Sequence, residues 1–175
     1  MNMLTASVLD IARGEIGVSE QGGNNRGQRV EEYQRAANGR AGEAWCASFV
    51  SWCFVKACEA MGQPNPMTPS RGALRVWHQA PPATKSKTPT IGSIFVIDHG
   101  KGKGHVGFVE SVTRTHIVTV EGNTNDGGSR EGDKVLRRSR RLSEVNVGYV
   151  DYGAEAVAPA VAIADDTSTT PIKVG

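Results

Sequence analysis

The chain has 175 residues, long enough for one domain with a proper core and short for two. Hydrophobic residues at 38% against 22% charged exclude a disordered chain. No run approaches the roughly 18 apolar residues of a membrane helix, so no membrane association is expected. The net charge of +2 is uneven: the stretch after Gly153, with Glu155, Asp165, Asp166 and Lys173, contributes about −2 and leaves the body with a mild positive excess that suits an acidic polymer without requiring one.

From the N-terminus, Leu4, Val8, Ile11, Ala12 and Ile16 recur at helical spacing and predict a helix over about 5–16 that ends near Gly17. Met1 to Glu20 has no early basic cluster, and Asp10, Arg13 and Glu15 interrupt any apolar run. It does not read as a signal peptide, and the chain is expected to be made in the cytoplasm. A polar loop, Gln21 to Gly27, leads to a second short helix with Val30, Tyr33 and Ala37 on one face, stopping near Asn38-Gly39. Trp45 to Met61 is the strongest helix, with Cys46, Val50, Cys53 and Ala57 aligned on one side and Gly62 and Pro64 as terminators. Ser70 is expected to cap a fourth helix that puts Leu74 and Trp77 on one side.

Beyond the Pro-rich stretch Pro81 to Pro89 the period changes to that of strands: Ser93 to Ile97, His105 to Val112, His116 to Glu121, Lys134 to Arg141 and Val145 to Tyr152. Helices first and strands after predict an α+β domain, N-terminal helices packed on a C-terminal antiparallel sheet of about five strands. Residues 1–153 are expected to form this domain, and 154–175, rich in Ala, Thr and Pro without a period, a flexible C-terminal tail.

Cys46, Cys53 and Cys58 are an odd set without paired spacing, which argues against a disulfide framework; gaps of seven and five residues do not make a zinc knuckle either. Cys46 differs from the other two in standing where a helix begins. There the exposed N–H groups and the helix dipole stabilise a thiolate, the nucleophilic form. Cys53 and Cys58 lie mid-helix and read as plain buried residues.

A thiolate needs an imidazole beside it. Of four histidines, His105 starts a strand between Gly104 and Gly107, whereas His78, His99 and His116 have weaker claims. The imidazole needs an orienting acceptor. Glu121 and Asn123 end the strand that a turn at Thr113 to Thr115 would fold onto the His105 strand, and two-residue spacing is expected to put both on one face. Each of these residues alone also has an ordinary surface or core reading; the combination is what points to chemistry. Trp45, beside the nucleophile, is a candidate to line a substrate groove, while Trp52 and Trp77 read as core. Lys134, Arg137, Arg138, Arg140 and Arg141 crowd one strand without interleaved aromatic residues, so they read as a solvated strand edge or as charge attraction to a polyanion; nucleic acid is not expected as a partner.

Trp45-Cys46-Ala47-Ser48-Phe49-Val50-Ser51-Trp52 resembles the nucleophile motif of the CHAP family (cysteine, histidine-dependent amidohydrolases/peptidases) that acts on peptidoglycan. Gly104-His105-Val106-Gly107-Phe108-Val109 is similar to its histidine motif, and Val120-Glu121-Gly122-Asn123 to its Glu-x-Asn motif. Asn24-Asn25-Arg26-Gly27 and Val30-x-x-Tyr33 look like the lead-in of some bacterial and phage members, which makes Asn25 a substrate-binding candidate. The resemblance runs from about residue 5 to 152. Two departures stand out. Pro89-Thr90-Ile91-Gly92-Ser93-Ile94 has Ser93 where many members carry an acidic residue, and there is no Asp-rich loop of the kind that binds calcium in some phage lysins.

The resemblance implies a papain-like fold and acyl transfer without metal or cofactor. Cys46 would attack an amide carbonyl, His105 would take and return the proton, and Glu121 would orient His105. Asn123 would share that orienting role or support the oxyanion, as would the Cys46 backbone N–H. The implied substrate is bacterial peptidoglycan, cut in the stem peptide or at the muramoyl-alanine linkage by a monomer delivered to the wall by another system. It would be a phage lysin, or an antibacterial effector with an immunity protein and delivery machinery as partners. The alternatives are a catalytically silent wall-binding or adaptor domain of this fold, and a cysteine protease acting on a non-wall amide.

Overall fold

A computed structural model describes residues 1–125 and 132–153. Four helices come first, α1 (Met3–Gly14), α2 (Gln28–Ala36), α3 (Cys46–Met61) and α4 (Ala73–Gln79). Six strands follow, β1 (Lys85–Ser86), β2 (Ile94–Gly100), β3 (Lys103–Val112), β4 (His116–Thr124), β5 (Lys134–Arg141) and β6 (Gly148–Val150). The strands form one antiparallel sheet in the order β1-β6-β2-β3-β4-β5. This is the α+β arrangement the chain order implied, with one more strand, and it is consistent with the papain-like fold the resemblance implied. Among the described residues no helix is long and apolar enough to cross a membrane. The tail expected from residue 154 lies outside the described residues.

The helices form where local chemistry starts and stops them. Asn2 caps α1 through a reciprocal box: its side chain accepts from Thr5 N at 3.0 Å and its own N–H donates to Thr5 Oγ1 at 3.2 Å, an arrangement that stabilises a helix start by about 1 kcal/mol. α1 then buries Leu4, Val8, Leu9 and Ala12. α3 is apolar nearly all round, which suits only a central position. It buries eleven of its sixteen residues between α1, α2 and the sheet. The fourth helix is displaced from its expected cap. Gly72 is its N-cap and no side chain caps it, because the Ser70 hydroxyl closes a local turn by donating to Gly72 O.

The sheet has two apolar faces, as alternation along its strands dictates. Ile94, Val96, Val106, Phe108, Val120 and Val150 join the helical core, whose centre is an aromatic group of Tyr33, Trp45, Phe49, Phe54 and Phe108. Each such fully buried side chain stabilises the fold by about 1.5–3 kcal/mol. Phe95, Ile97, Val109, Ile117 and Tyr149 form a smaller core on the other face, covered by Leu142 and Val145. His105 pairs with Ile97 in register, and Thr119 pairs with Val109 and Arg138. The second face therefore carries His105, Gly107, Thr119, Glu121 and Arg140.

Candidate active site

Cys46 is the first residue of α3, with Trp45 as N-cap, so its sulfur sits among N–H groups that have no acceptor within the helix. The N–H of Val106 also favours the thiolate. The register explains how. Val109 N donates to Ser93 O on the β2 side, so even-numbered residues of β3 point their N–H groups toward β4. The β3–β4 ladder ends at the Phe108–Val120 pair, which leaves Val106 facing a gap where the two strands part. Through that gap the thiol on the helical side meets the imidazole on the other face.

His105 couples to the Cys46 thiol and, through Nε2, hydrogen-bonds Glu121 Oε2 at 2.8 Å. With Nε2 committed, Nδ1 is the ring nitrogen available to sulfur. Burial by itself would push the His105 pKa down, but the bonds to Cys46 and Glu121 and their charges override it and hold the imidazole at about 9. Burial likewise opposes a Cys46 thiolate, yet His105 and the N–H groups of Val106 and Ala47 bring that thiol below its ordinary value. The two shifts agree in direction, and both favour a thiolate beside an imidazolium. Cys53 has no such partner, and burial raises its pKa. The three cysteines are free.

Glu121 is fully buried. Its carboxylate accepts from Thr119 Oγ1 at 2.5 Å and from Arg140 through both Nε and Nη2, each at 2.6 Å. Burial favours its neutral form, but Arg140 and His105 reverse this and hold it well below the usual carboxylate range. Phe95 lies beneath two members of this chain, its ring 5.8 Å from His105 and 5.4 Å from the Arg140 guanidinium. Sequence reasoning missed Arg140 and Thr119. By sequence Arg140 reads as part of a basic strand edge, and its partner depends on the β4–β5 register, which no local pattern encodes.

Asn123 was expected on the face of Glu121. Instead the β4–β5 register shifts between Glu121 and Thr124, and Asn123 takes a left-handed φ of 56°, which breaks the alternation. Its side chain turns to the approach to α3: Oδ1 accepts from Trp45 N at 3.4 Å, and Nδ2 donates to Asn25 Oδ1 at 3.2 Å and Gly132 O at 2.8 Å. Asn25, also left-handed at φ 55°, accepts at its carbonyl from Gln34 Nε2 and Gly42 N. These residues hold the backbone leading into Cys46. Trp45 must be corrected as a groove residue: it is 0% exposed, donates Nε1–H to Glu20 and packs on Tyr33. The helix start that carries Cys46 turns the preceding side chain inward. Trp52 is buried as expected, whereas Trp77 is only partly covered and lies beneath Lys85 and Lys87. Among the described residues no His, Cys, Asp or Glu cluster could hold a metal.

Compared with known families, residues 37–123 match the CHAP domain, a span containing Cys46, His105, Glu121 and Asn123. The chain carries a CHAP domain. Its fold is also similar to the crystal structure of Ly7917, at 19% identity and a TM-score of 0.46, covering 84% of this chain and 62% of that one. A second crystal structure, of Ly7917 with the hydrolyzing product of MDP, gives 18% identity and a TM-score of 0.41, covering 83% and 60%. This chain thus spans less than two thirds of those chains. No curated protein matches it by sequence. The CHAP domain places the chain among amidohydrolases and peptidases, and its matched segment starts at Ala37, just after α2.

Proposed function

We propose that this CHAP domain hydrolyses an amide bond of bacterial peptidoglycan, with Cys46 as nucleophile and His105 as its acid–base partner. The observation that carries the reading is Cys46 at a helix N-terminus coupled to His105, which is itself hydrogen-bonded to the buried Glu121 at 2.8 Å, with both pKa shifts favouring the ion pair. The thiolate attacks the carbonyl carbon and the C=O electrons move onto oxygen. N–H groups of the first α3 turn, that of Cys46 among them, are the candidate donors to the oxyanion. Collapse expels the amine, which takes the proton from His105, and leaves a thioester. The neutral imidazole then draws a proton from water as it attacks the thioester, restoring the thiolate and imidazolium. Glu121 keeps the imidazole oriented and supports its charge. Peptidoglycan as substrate rests on the motif set shared with the CHAP family, and the mild positive charge of the body is compatible with an acidic wall. A phage lysin and a delivered antibacterial effector are the settings that suit such a domain.

Purified sacculi provide the test. The protein should release free amino groups, Cys46→Ala should abolish release, and Cys53→Ala and Cys58→Ser should keep most of it. Intact sacculi that co-sediment with the protein would instead identify a wall-binding module. Hydrolysis of a protein or isopeptide amide with sacculi untouched would reassign the substrate.

A further inference from the structure

Glu121 has more partners than an orienting carboxylate needs. It is fully buried on β4, yet both of its oxygens are gripped in parallel by one guanidinium from β5 at 2.6 Å, while Thr119 and His105 take the remaining positions. The Arg140 side chain is only 16% exposed and is seated on Phe95, the ring that also lies against His105. Two planar forks matched this closely fix the carboxylate in one rotamer, which a lysine cannot do. We propose that Arg140 is a positioning residue for the Cys46–His105 pair, acting through Glu121 by locking its carboxylate and keeping it an acceptor.

The consequence is electrostatic as well as steric. A buried carboxylate without a counter-cation tends to take up a proton. A protonated Glu121 would donate to His105 Nε2. The imidazole proton would then reside on Nδ1, the nitrogen that has to receive the thiol proton, and the ion pair would be lost. The charged groups that face Glu121 are His105 on β3 and Arg140 on β5. Behind them stand Cys46 of α3 and Glu144, whose carboxylate lies 3.5 Å from Arg140 Nη1. Arg140 is the group whose positive charge does not depend on the pair itself. This role rests on the thiol mechanism proposed above.

The test is the rate of Cys46 alkylation by iodoacetamide against pH, in a Cys53→Ala/Cys58→Ser background, beside amino-group release from sacculi. Arg140→Met should move the acid limb of alkylation upward by about one pH unit, a tenfold loss of rate on that limb. It should also slow release with little change in the sacculus concentration giving half-maximal rate. Arg140→Lys should lie between Arg140→Met and wild type. In a Glu121→Gln background, Arg140→Met should add less than about a twofold change, because its target is already neutral. Coincident Arg140→Met and wild-type profiles overturn the proposal, as does an equal loss with and without Glu121→Gln. Should Arg140→Met fail to fold, Arg140→Lys decides, and a limb coincident with wild type overturns it. Alkylation requires no wall substrate, so a shifted limb with intact sacculi would reject the proposed function and keep the positioning role.

Discussion

At the scale of single residues, the site alternates in charge: sulfur, imidazole, carboxylate, guanidinium. Each burial is tolerable because the next group compensates it; a buried charge with its partner removed costs about 3–5 kcal/mol. This predicts the pH dependence of hydrolysis. The active form needs the thiolate, present above the lowered Cys46 value, and the imidazolium, present below about 9. The kcat/KM profile on sacculi should therefore rise from below the ordinary thiol range and fall near pH 9. A falling limb near 6.5, the value of a free imidazole, would show that the pair is not formed. Glu121→Gln should lower kcat more than it raises KM, since an amide still fills the space but cannot support the imidazolium. A pure rise in KM would make Glu121 a substrate contact. Cys46, His105 and Glu121 were legible as candidates because a helix start, a strand start and a hairpin are local features. Arg140 was not, because its role is a pairing across strands.

At the scale of elements, the question is how α3 comes close enough to the sheet. A Cβ on Gly122 would stand 2.7 Å from Phe49 Cγ and 2.8 Å from Trp45 Cζ3, so the first turn of α3 seats directly on β4 backbone. Gly107 serves the other face, where a Cβ would meet Phe95 at 2.8 Å and Glu121 Cγ at 2.9 Å. Gly122→Ala should destabilise the fold by about 1–3 kcal/mol and slow hydrolysis, because relief of the clash lifts the nucleophile away from His105. Gly14→Ala is the control: nothing lies within 4 Å of its added Cβ. It should leave the urea midpoint unchanged or raised, and equal shifts for the two variants would dismiss the seating argument. The α3 boundaries were readable to within a residue from its apolar run and Gly62, whereas β1 was not. Two residues carry no period, and Lys85–Ser86 is a strand only because β6 pairs with it.

At the scale of the whole molecule, the sheet is completed by a return from the far edge: after β5 the chain crosses back past β4, β3 and β2, and β6 inserts between β2 and β1. The described chain continues to Gly153, whose backbone lies against Thr5 of α1. A chain cut after Gly153 keeps every contact described above and is expected to melt at the temperature of the longer chain and to retain its hydrolysis. A large loss in either would assign a structural part to residues 154–175. The amino-acid sequence alone determined the order of helices and strands, the start of α3 at Cys46 and the hairpin that brings His105 to Glu121. Those features depend on neighbours a few residues apart, where period and turn chemistry act. Tertiary structure decided the Arg140–Glu121 clamp, the inward burial of Trp45 and the turn of Asn123 toward the approach to α3. Strand register and packing between distant segments set these, and no short window of sequence contains both partners.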